Sequence, residues 1–277
     1  MTETVKILRG QINKIEKLAE LPFYTEGPAM DRGQNLYFTT LSGGVIYKMD
    51  KLGRLSVWAE TTCPNGQYIL ENDEHLVCDS VTACIYRFDA SGNCIGSVIE
   101  GNCAGEKVYC PNDLVADNSD NIYFTDSIRE NGKVFFIGRD GSQEVLATSL
   151  DYPNGLILSR DGRFLWVAES YRNRIIQISL KNRKIISFAA LPVHPSGNIE
   201  SNLPDGMAMD PTGNLWVAHY GMGSVLRISY NGATVEVYDT EMPLTSNLIF
   251  INHTTAIVTG GYSEPGPGAL FKIHFRS

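Results

Sequence analysis

Five short turns in this chain open on a side chain that carries an acid or amide oxygen: Glu26 in Glu26-Gly27-Pro28, Asn65 in Pro64-Asn65-Gly66, Asn112 in Pro111-Asn112-Asp113, Asn154 in Pro153-Asn154-Gly155 and Asp205 in Pro204-Asp205-Gly206. A sixth, Ser246-Asn247, is looser. Arranged around an axis, these oxygens converge, and mixed carboxylates and amide carbonyls are what a hard divalent cation requires. Glu26 and Asp205 supply negative charge, Asn154 and Asn112 neutral oxygens. That donor set favours calcium first, then magnesium; zinc, manganese and iron(II) stay open for a catalytic site. Asn-Gly, Asp-Gly and Gly-Pro also mark turns for backbone reasons alone. What points past a turn is the register: two acids stand where asparagine would serve the backbone equally well.

Other candidates follow the same register. Asp79, Asp126, Glu169 and His219 stand at comparable strand ends, with Gly260 in the last unit. For the acids the favoured reading is a cap bonded to backbone; His219 is an alternative proton acceptor, since an imidazole titrates near neutrality. Tyr24, Tyr109, Tyr152 and Tyr220 lie near turns or strand ends, where an aromatic wall would form. Tyr109, three residues before Asn112, is the one taken with Asn65 and His219 as a substrate contact. His75, His194, His253 and His274 lack ligand spacing and are expected in loops or at the surface. Trp58, Trp166 and Trp216 read as packing. No Gly-x-Ser-x-Gly elbow is present, which argues against a serine hydrolase.

The positioning elements are legible as a repeat. Apolar runs such as Leu114-Val115-Ala116 and Met207-Ala208-Met209 follow the turns directly. Second runs, such as Ile122-Tyr123-Phe124-Thr125 and Leu215-Trp216-Val217-Ala218, come next, and alternating runs such as Val225-Leu226-Arg227-Ile228 third. The openers recur every 40 to 50 residues or so, about the length of a four-stranded propeller blade. The expected fold is all-β: a six-bladed β-propeller with four antiparallel strands per blade, one domain over residues 1–277. The last repeat ends after its third strand at Ile273-His274-Phe275, while Ile15 to Glu20 is a spare strand before the first turn. Pairing the two would close the ring and cover an open edge.

Bulk properties narrow the partner. The 277 residues are 43% hydrophobic, enough for a sizeable core, and carry a formal charge of −8. That balance argues against nucleic acid or an anionic membrane, both of which need a basic footprint, and leaves a small molecule. A monomer or weak oligomer is expected. Glu3, Lys6 and Arg9 interrupt any apolar leader, so the expected compartment is the cytoplasm. Six cysteines, Cys63, Cys78, Cys84, Cys94, Cys103 and Cys110, lack zinc spacing and are read as reduced thiols, with Cys63 and Cys110 at the pocket rim.

Several of these residues together carry a family resemblance. Glu26-Gly27-Pro28, Pro111-Asn112-Asp113 followed by Tyr123-Phe124-Thr125-Asp126, Asn154-Gly155-Leu156, Leu203-Pro204-Asp205-Gly206-Met207 with Asp210, and Gly268-Ala269-Leu270-Phe271-Lys272-Ile273 occur in order across the chain. They resemble the senescence marker protein/gluconolactonase/luciferin-regenerating enzyme family of six-bladed propeller lactonases. The resemblance implies one divalent metal in the central channel, held by Glu26, Asn154 and Asp205, with Asn112 on substrate or on the attacking water. It implies a hydrolase that opens a sugar lactone or another small lactone or ester, with Asp205 as metal ligand, general base or both. Tyr109 and Cys110 stand where sugar lactonases of this kind often carry an arginine or other polar residue, which shifts the expectation toward a less polar substrate. Competing readings are a phosphotriesterase or fluorophosphatase, a strictosidine-synthase-like enzyme in which Glu169 would matter, and a propeller that binds without catalysis.

Overall fold

Runs that open on consecutive apolar residues become strands buried along nearly their whole length, among them Leu36–Thr40, Ile122–Asp126 and Leu215–Tyr220. Alternating runs such as Val45–Met49 become half-buried strands, and outer strands such as Leu55–Glu60 and Ile185–Ala190 face solvent over most of their length. The computed structural model describes residues 5–276. Its architecture is all-β and propeller-like. Four separate four-stranded antiparallel sheets take up residues 25–60, 64–100, 111–150 and 153–190 in succession. The strands within 203–239 and 244–275 belong to one nine-stranded sheet, where the two runs join through the single pair Tyr220 with Leu244.

The N-terminal strand Ile12–Leu21 lies antiparallel to Gly268–Phe275 in that sheet, with Ile15 opposite Ile273 and Leu21 opposite Gly268. The spare strand read from Ile15 to Glu20 therefore lies where its pairing with the last strand was expected. Ahead of it, Lys6–Arg9 adds a parallel strand to Thr234–Asp239. Among the described residues no helix is long and apolar enough to cross a membrane.

The core lies between neighbouring sheets. Leu146 and Val134 of one sheet pack with Leu156, Leu165 and Ile176 of the next, and Trp166 and Ile175 pack with Met207, Val217 and Leu226. The tryptophans serve this packing: Trp216 is flanked by Tyr238 and Phe275 with ring centroids 5.0 and 4.6 Å away. His75 departs from the surface expectation. It opens the buried strand His75–Asp79, between Trp58 at 4.3 Å and Tyr37 at 4.5 Å, because an uncharged imidazole is flat enough to join an aromatic stack. Burial lowers its pKa to about 4. The six cysteines are free thiols; Cys94 is exposed, while Cys78, Cys84 and Cys103 are buried.

Candidate functional site

The six turn openers stand at the start of, or within, the innermost strands: Thr25–Met30, Pro64–Ile69, Pro111–Ala116, Pro153–Leu158, Leu203–Met209 and Leu244–Asn252. Each of these strands lies against the next, and Leu244–Asn252 lies against Thr25–Met30. Hydroxyls from the second strands hold the openers from behind. Thr39 Oγ1 donates to the Asn65 carbonyl at 2.9 Å and Thr125 Oγ1 to that of Asn154 at 2.8 Å. One residue earlier along the inner strands, Ser80 Oγ donates to the Pro111 carbonyl at 2.9 Å and Ser170 Oγ to the Pro204 carbonyl at 2.7 Å. The carbonyls of Asn65 and Asn154 are thus bound from behind, and their side chains line the channel.

Strand-end acids serve the same turns from the other side. Asp79 Oδ2 accepts the backbone N–H groups of Thr62 and Cys63 at 2.8 and 2.9 Å, and Asp126 Oδ1 those of Tyr109 and Cys110 at 3.0 and 2.7 Å. Glu169 accepts the N–H of Asp151 at 2.9 Å and pairs with Arg174 at 2.6 Å. These acids are the caps they were read to be, and each fixes the segment that enters an inner strand.

One mouth of the channel is a cavity of about 580 Å³, and Glu26, Asn65, Asn112, Asn154 and Asp205 all line it. All five are buried. Within the channel, small residues make room. A Cβ at Gly66 would meet Asp113 Oδ1 at 2.3 Å, and one at Gly206 would meet the Asn247 amide at 2.0 Å. Asp113 and Asn247 occupy the position that is glycine in the other four units, and both line the far end of the channel. They form a floor between this mouth and a second cavity of about 390 Å³ at the opposite end. Asn247 Nδ2 also donates to Glu26 Oε2 at 3.4 Å.

The electrostatics of this assembly are unfavourable as they stand. Burial raises the pKa of Glu26, with the Asp113 charge adding to the effect, against a hydrogen bond from the Gly27 N–H at 2.8 Å. Asp205 is pushed well above the ordinary carboxylate range by burial, and then by the charges of Glu26 and Asp113. Asp113 itself is raised to about 7 by burial. Among the described residues neither Glu26 nor Asp205 has a Lys, Arg or His ion-pair partner. Asn154 Oδ1 is buried without any hydrogen-bond partner, and so is the Tyr24 hydroxyl on the same wall. Two repelling carboxylates beside an unsatisfied carbonyl oxygen fit a hard cation on chemical grounds. Among the described residues no group of three or more His, Cys, Asp and Glu is placed to hold a metal, so a site here depends on the amide oxygen.

Two candidate contacts lie elsewhere. Tyr109 does not line the cavity; it is 48% exposed and sits under Lys107 Nζ at 4.5 Å from its ring centroid. His219 does not line it either. Its ring is fully buried between sheets, Nε2 at 2.9 Å from Asn173 Oδ1, and burial lowers its pKa to about 4. Tyr109 lies in the irregular segment before Pro111–Ala116 and faces outward, while in strand Leu215–Tyr220 alternation sends Tyr220 to the cavity and His219 away from it. Cys63 and Cys110 are half-buried behind the turns and do not line the cavity. The aromatic wall forms from Tyr24, Tyr152 and Tyr220 as expected, with Tyr171 in place of Tyr109. Glu200, in the 3-10 turn Ile199–Ser201, and Glu264, in the connection between Thr255–Gly261 and Gly268–Phe275, complete the mouth; nothing in the turn register marks them.

A family model described as the SMP-30/Gluconolactonase/LRE-like region matches residues 24–260. A lactonase drp35 from Staphylococcus haemolyticus is 28% identical over 232 residues, covering 78% of this chain and 69% of the relative. Among solved structures, a gluconolactonase from Xanthomonas campestris superposes with a TM-score of 0.81 at 23% identity, over 99% of this chain and 97% of the other. A protein described as calcium-binding, a regucalcin from Agrobacterium tumefaciens, gives 0.75 at 19% identity, over 99% and 97% of the two chains. These two likenesses are likenesses of fold.

Proposed function

Because the chain belongs to the SMP-30/gluconolactonase/LRE-like family, we propose that it is a divalent-cation-dependent hydrolase that opens a small lactone in the cavity lined by Glu26, Asn154 and Asp205. Relatives named lactonase support lactone opening as the reaction class. The observation that carries the cation is the orphaned Asn154 oxygen beside two buried carboxylates with no cationic partner among the described residues. Glu26, Asn154 and Asp205 would hold the ion, with calcium the first expectation. When bound, a divalent cation polarises the carbonyl to be attacked and lowers the pKa of a water beside it.

The remaining roles belong to the chain. Asp205, ionised in the loaded site, takes a proton from the attacking water at a carboxylate oxygen. Asn65 and Asn112 offer amide N–H groups to the substrate's oxygens from neighbouring inner strands. The Tyr24 hydroxyl, buried and without a partner, is a free donor on the same wall. Leu41, Leu203 and Leu244 line the cavity with apolar surface, which keeps bulk water from the bound ring.

For the architecture, we read the nine-stranded sheet as two further blades that share the Tyr220–Leu244 pair, with Ile12–Leu21 as the outer strand of the last. That gives six blades in one domain. The function is tested by pH-stat hydrolysis of a panel of aldonolactones, aliphatic lactones, aryl esters and phosphotriesters, with and without a chelator, together with the metal content of the purified protein. Chelator-sensitive opening of a lactone is expected. Turnover of phosphotriesters alone, or lactone opening that survives complete removal of metal, overturns the reading.

A further inference from the structure

The charged groups at the mouth of the cavity are of one sign. Glu26 and Asp205 lie deep, and Glu200 and Glu264 lie at the rim; among the described residues no Lys, Arg or His lines the cavity. Resting on the lactone-hydrolase reading above, we infer that this site selects its substrate by charge: it prefers a lactone bearing an ammonium or other cationic substituent to an uncharged one, and disfavours a lactone bearing a carboxylate or phosphate.

The argument starts from what stays uncompensated. A divalent cation balances the two deep carboxylates, which leaves Glu200 and Glu264 as the charges a substituent meets at the mouth. Among the described residues neither is ion-paired. Glu264 and Tyr220 line the same cavity. Below the rim stand the four tyrosines; Tyr24 meets Tyr220 edge to face at 6.1 Å, and Tyr152 meets Tyr171 in the same way at 5.7 Å. Ring faces attract a cation and repel an anion. The Arg129 guanidinium, 3.5 Å from the Tyr171 ring centroid, shows the preference in use, and it is itself paired with Asp151 at 2.6 Å, so it offers no charge to a substrate anion. A buried polar group points to a ligand independently of the acids: the Tyr24 hydroxyl lines the cavity without a partner.

The test uses three γ-butyrolactones that differ only in the group on the ring carbon next to oxygen: trimethylammoniomethyl, hydroxymethyl or carboxylate. Two exposed carboxylates near the substituent are worth roughly a five- to ten-fold preference in kcat/KM per unit of charge at low ionic strength. The order expected in calcium-containing buffer is cationic, uncharged, anionic. It narrows in 0.5 M sodium chloride, where screening is strong, and the double variant Glu200→Gln, Glu264→Gln brings the ratios toward one. The matching γ-lactams, which do not turn over, are titrated into the protein by calorimetry and are expected to bind in the same order. Equal or reversed order for the lactams, or an order that the double variant leaves intact, overturns the inference. If the hydroxymethyl lactone is opened but the three show no order, only the charge inference fails. If no lactone is opened and the lactams still keep the order, the hydrolase reading fails and the charge selection stands.

Discussion

Glu26 and Asp205 are an expensive pair to bury, and their cost is the clearest sign of a purpose other than stability. Each is raised by burial, and each is raised further by charge, Glu26 by Asp113 and Asp205 by Glu26 and Asp113. Replacing one carboxylate by its amide removes that cost, so Asp205→Asn is expected to make the metal-free protein more stable by about 1 to 3 kcal/mol. The same change lowers kcat for lactone opening by about a hundred-fold or more, since ligand charge and proton acceptor are lost together. Thermal unfolding with and without calcium checks both halves: the wild type gains stability on adding the ion, and the variant gains much less. A variant that is less stable without metal, or that responds to calcium as the wild type does, contradicts the assignment.

His75 carries a second residue-scale prediction, this time for stability alone. Its pKa falls from an ordinary 6.5 to about 4 because burial between Trp58 and Tyr37 penalises the charged ring. The unfolded chain therefore binds a proton that the folded one refuses. The sign follows: the contribution is intact above pH 6.5 and is lost as pH falls toward 4, by up to about 3 kcal/mol. His75→Phe keeps a flat ring in the stack and removes the titration. The difference in unfolding free energy between variant and wild type should grow in the variant's favour across that window. A difference that stays constant from pH 7 to pH 4 rules the account out.

At the scale of elements, the inner strands and the hydroxyls behind them decide where the site forms. Ser170 Oγ bonds the Pro204 carbonyl at 2.7 Å, one residue before Asp205. Its loss leaves a buried carbonyl unsatisfied, so Ser170→Ala is expected to cost about 1 to 2 kcal/mol and to weaken calcium binding, since the turn that carries Asp205 loses its anchor. Calorimetric titration of calcium reads the second effect, and unchanged affinity removes the anchoring role. How much of this was legible in the sequence depends on the kind of signal. The five openers were visible because acids and amides recur at one position of a repeat, and repetition survives without coordinates. Asp113 was quoted as part of a turn, yet its place on the channel floor rests on a clash with a Cβ at Gly66, a distance across two strands. Tyr109 was drawn in by its distance from a turn and His219 by its strand-end register, and neither side chain reaches the cavity. Glu200 and Glu264 sit in loops outside the repeat, where no register applies.

The whole molecule depends on the way its two chain ends meet. Ile12–Leu21 pairs along Gly268–Phe275, and its apolar residues divide between two clusters: Ile12 and Ile15 pack against the one containing Trp216 and Phe275, while Leu18 and Leu21 belong with Leu36, Phe38 and Leu270. A strand so placed ties the last strand to the first inner sheet, so its contribution reaches both sides of the seam. Removing residues 1–20 strips most of that cover and bares the edge of Gly268–Phe275 to solvent. The loss of three or four half-buried aliphatic side chains and their ladder is worth roughly 4 to 5 kcal/mol, which for a chain of this size lowers the melting temperature by about 10 °C. The strand Lys6–Arg9 is a different matter, because it is exposed at every position. Removing residues 1–10 should therefore shift the melting temperature by no more than a few degrees. The two truncations, compared by thermal unfolding, separate a strand that holds its neighbour from an end that merely lies along the sheet: equal melting temperatures for the 1–20 truncation and the full chain would show that Gly268–Phe275 keeps its place without Ile12–Leu21.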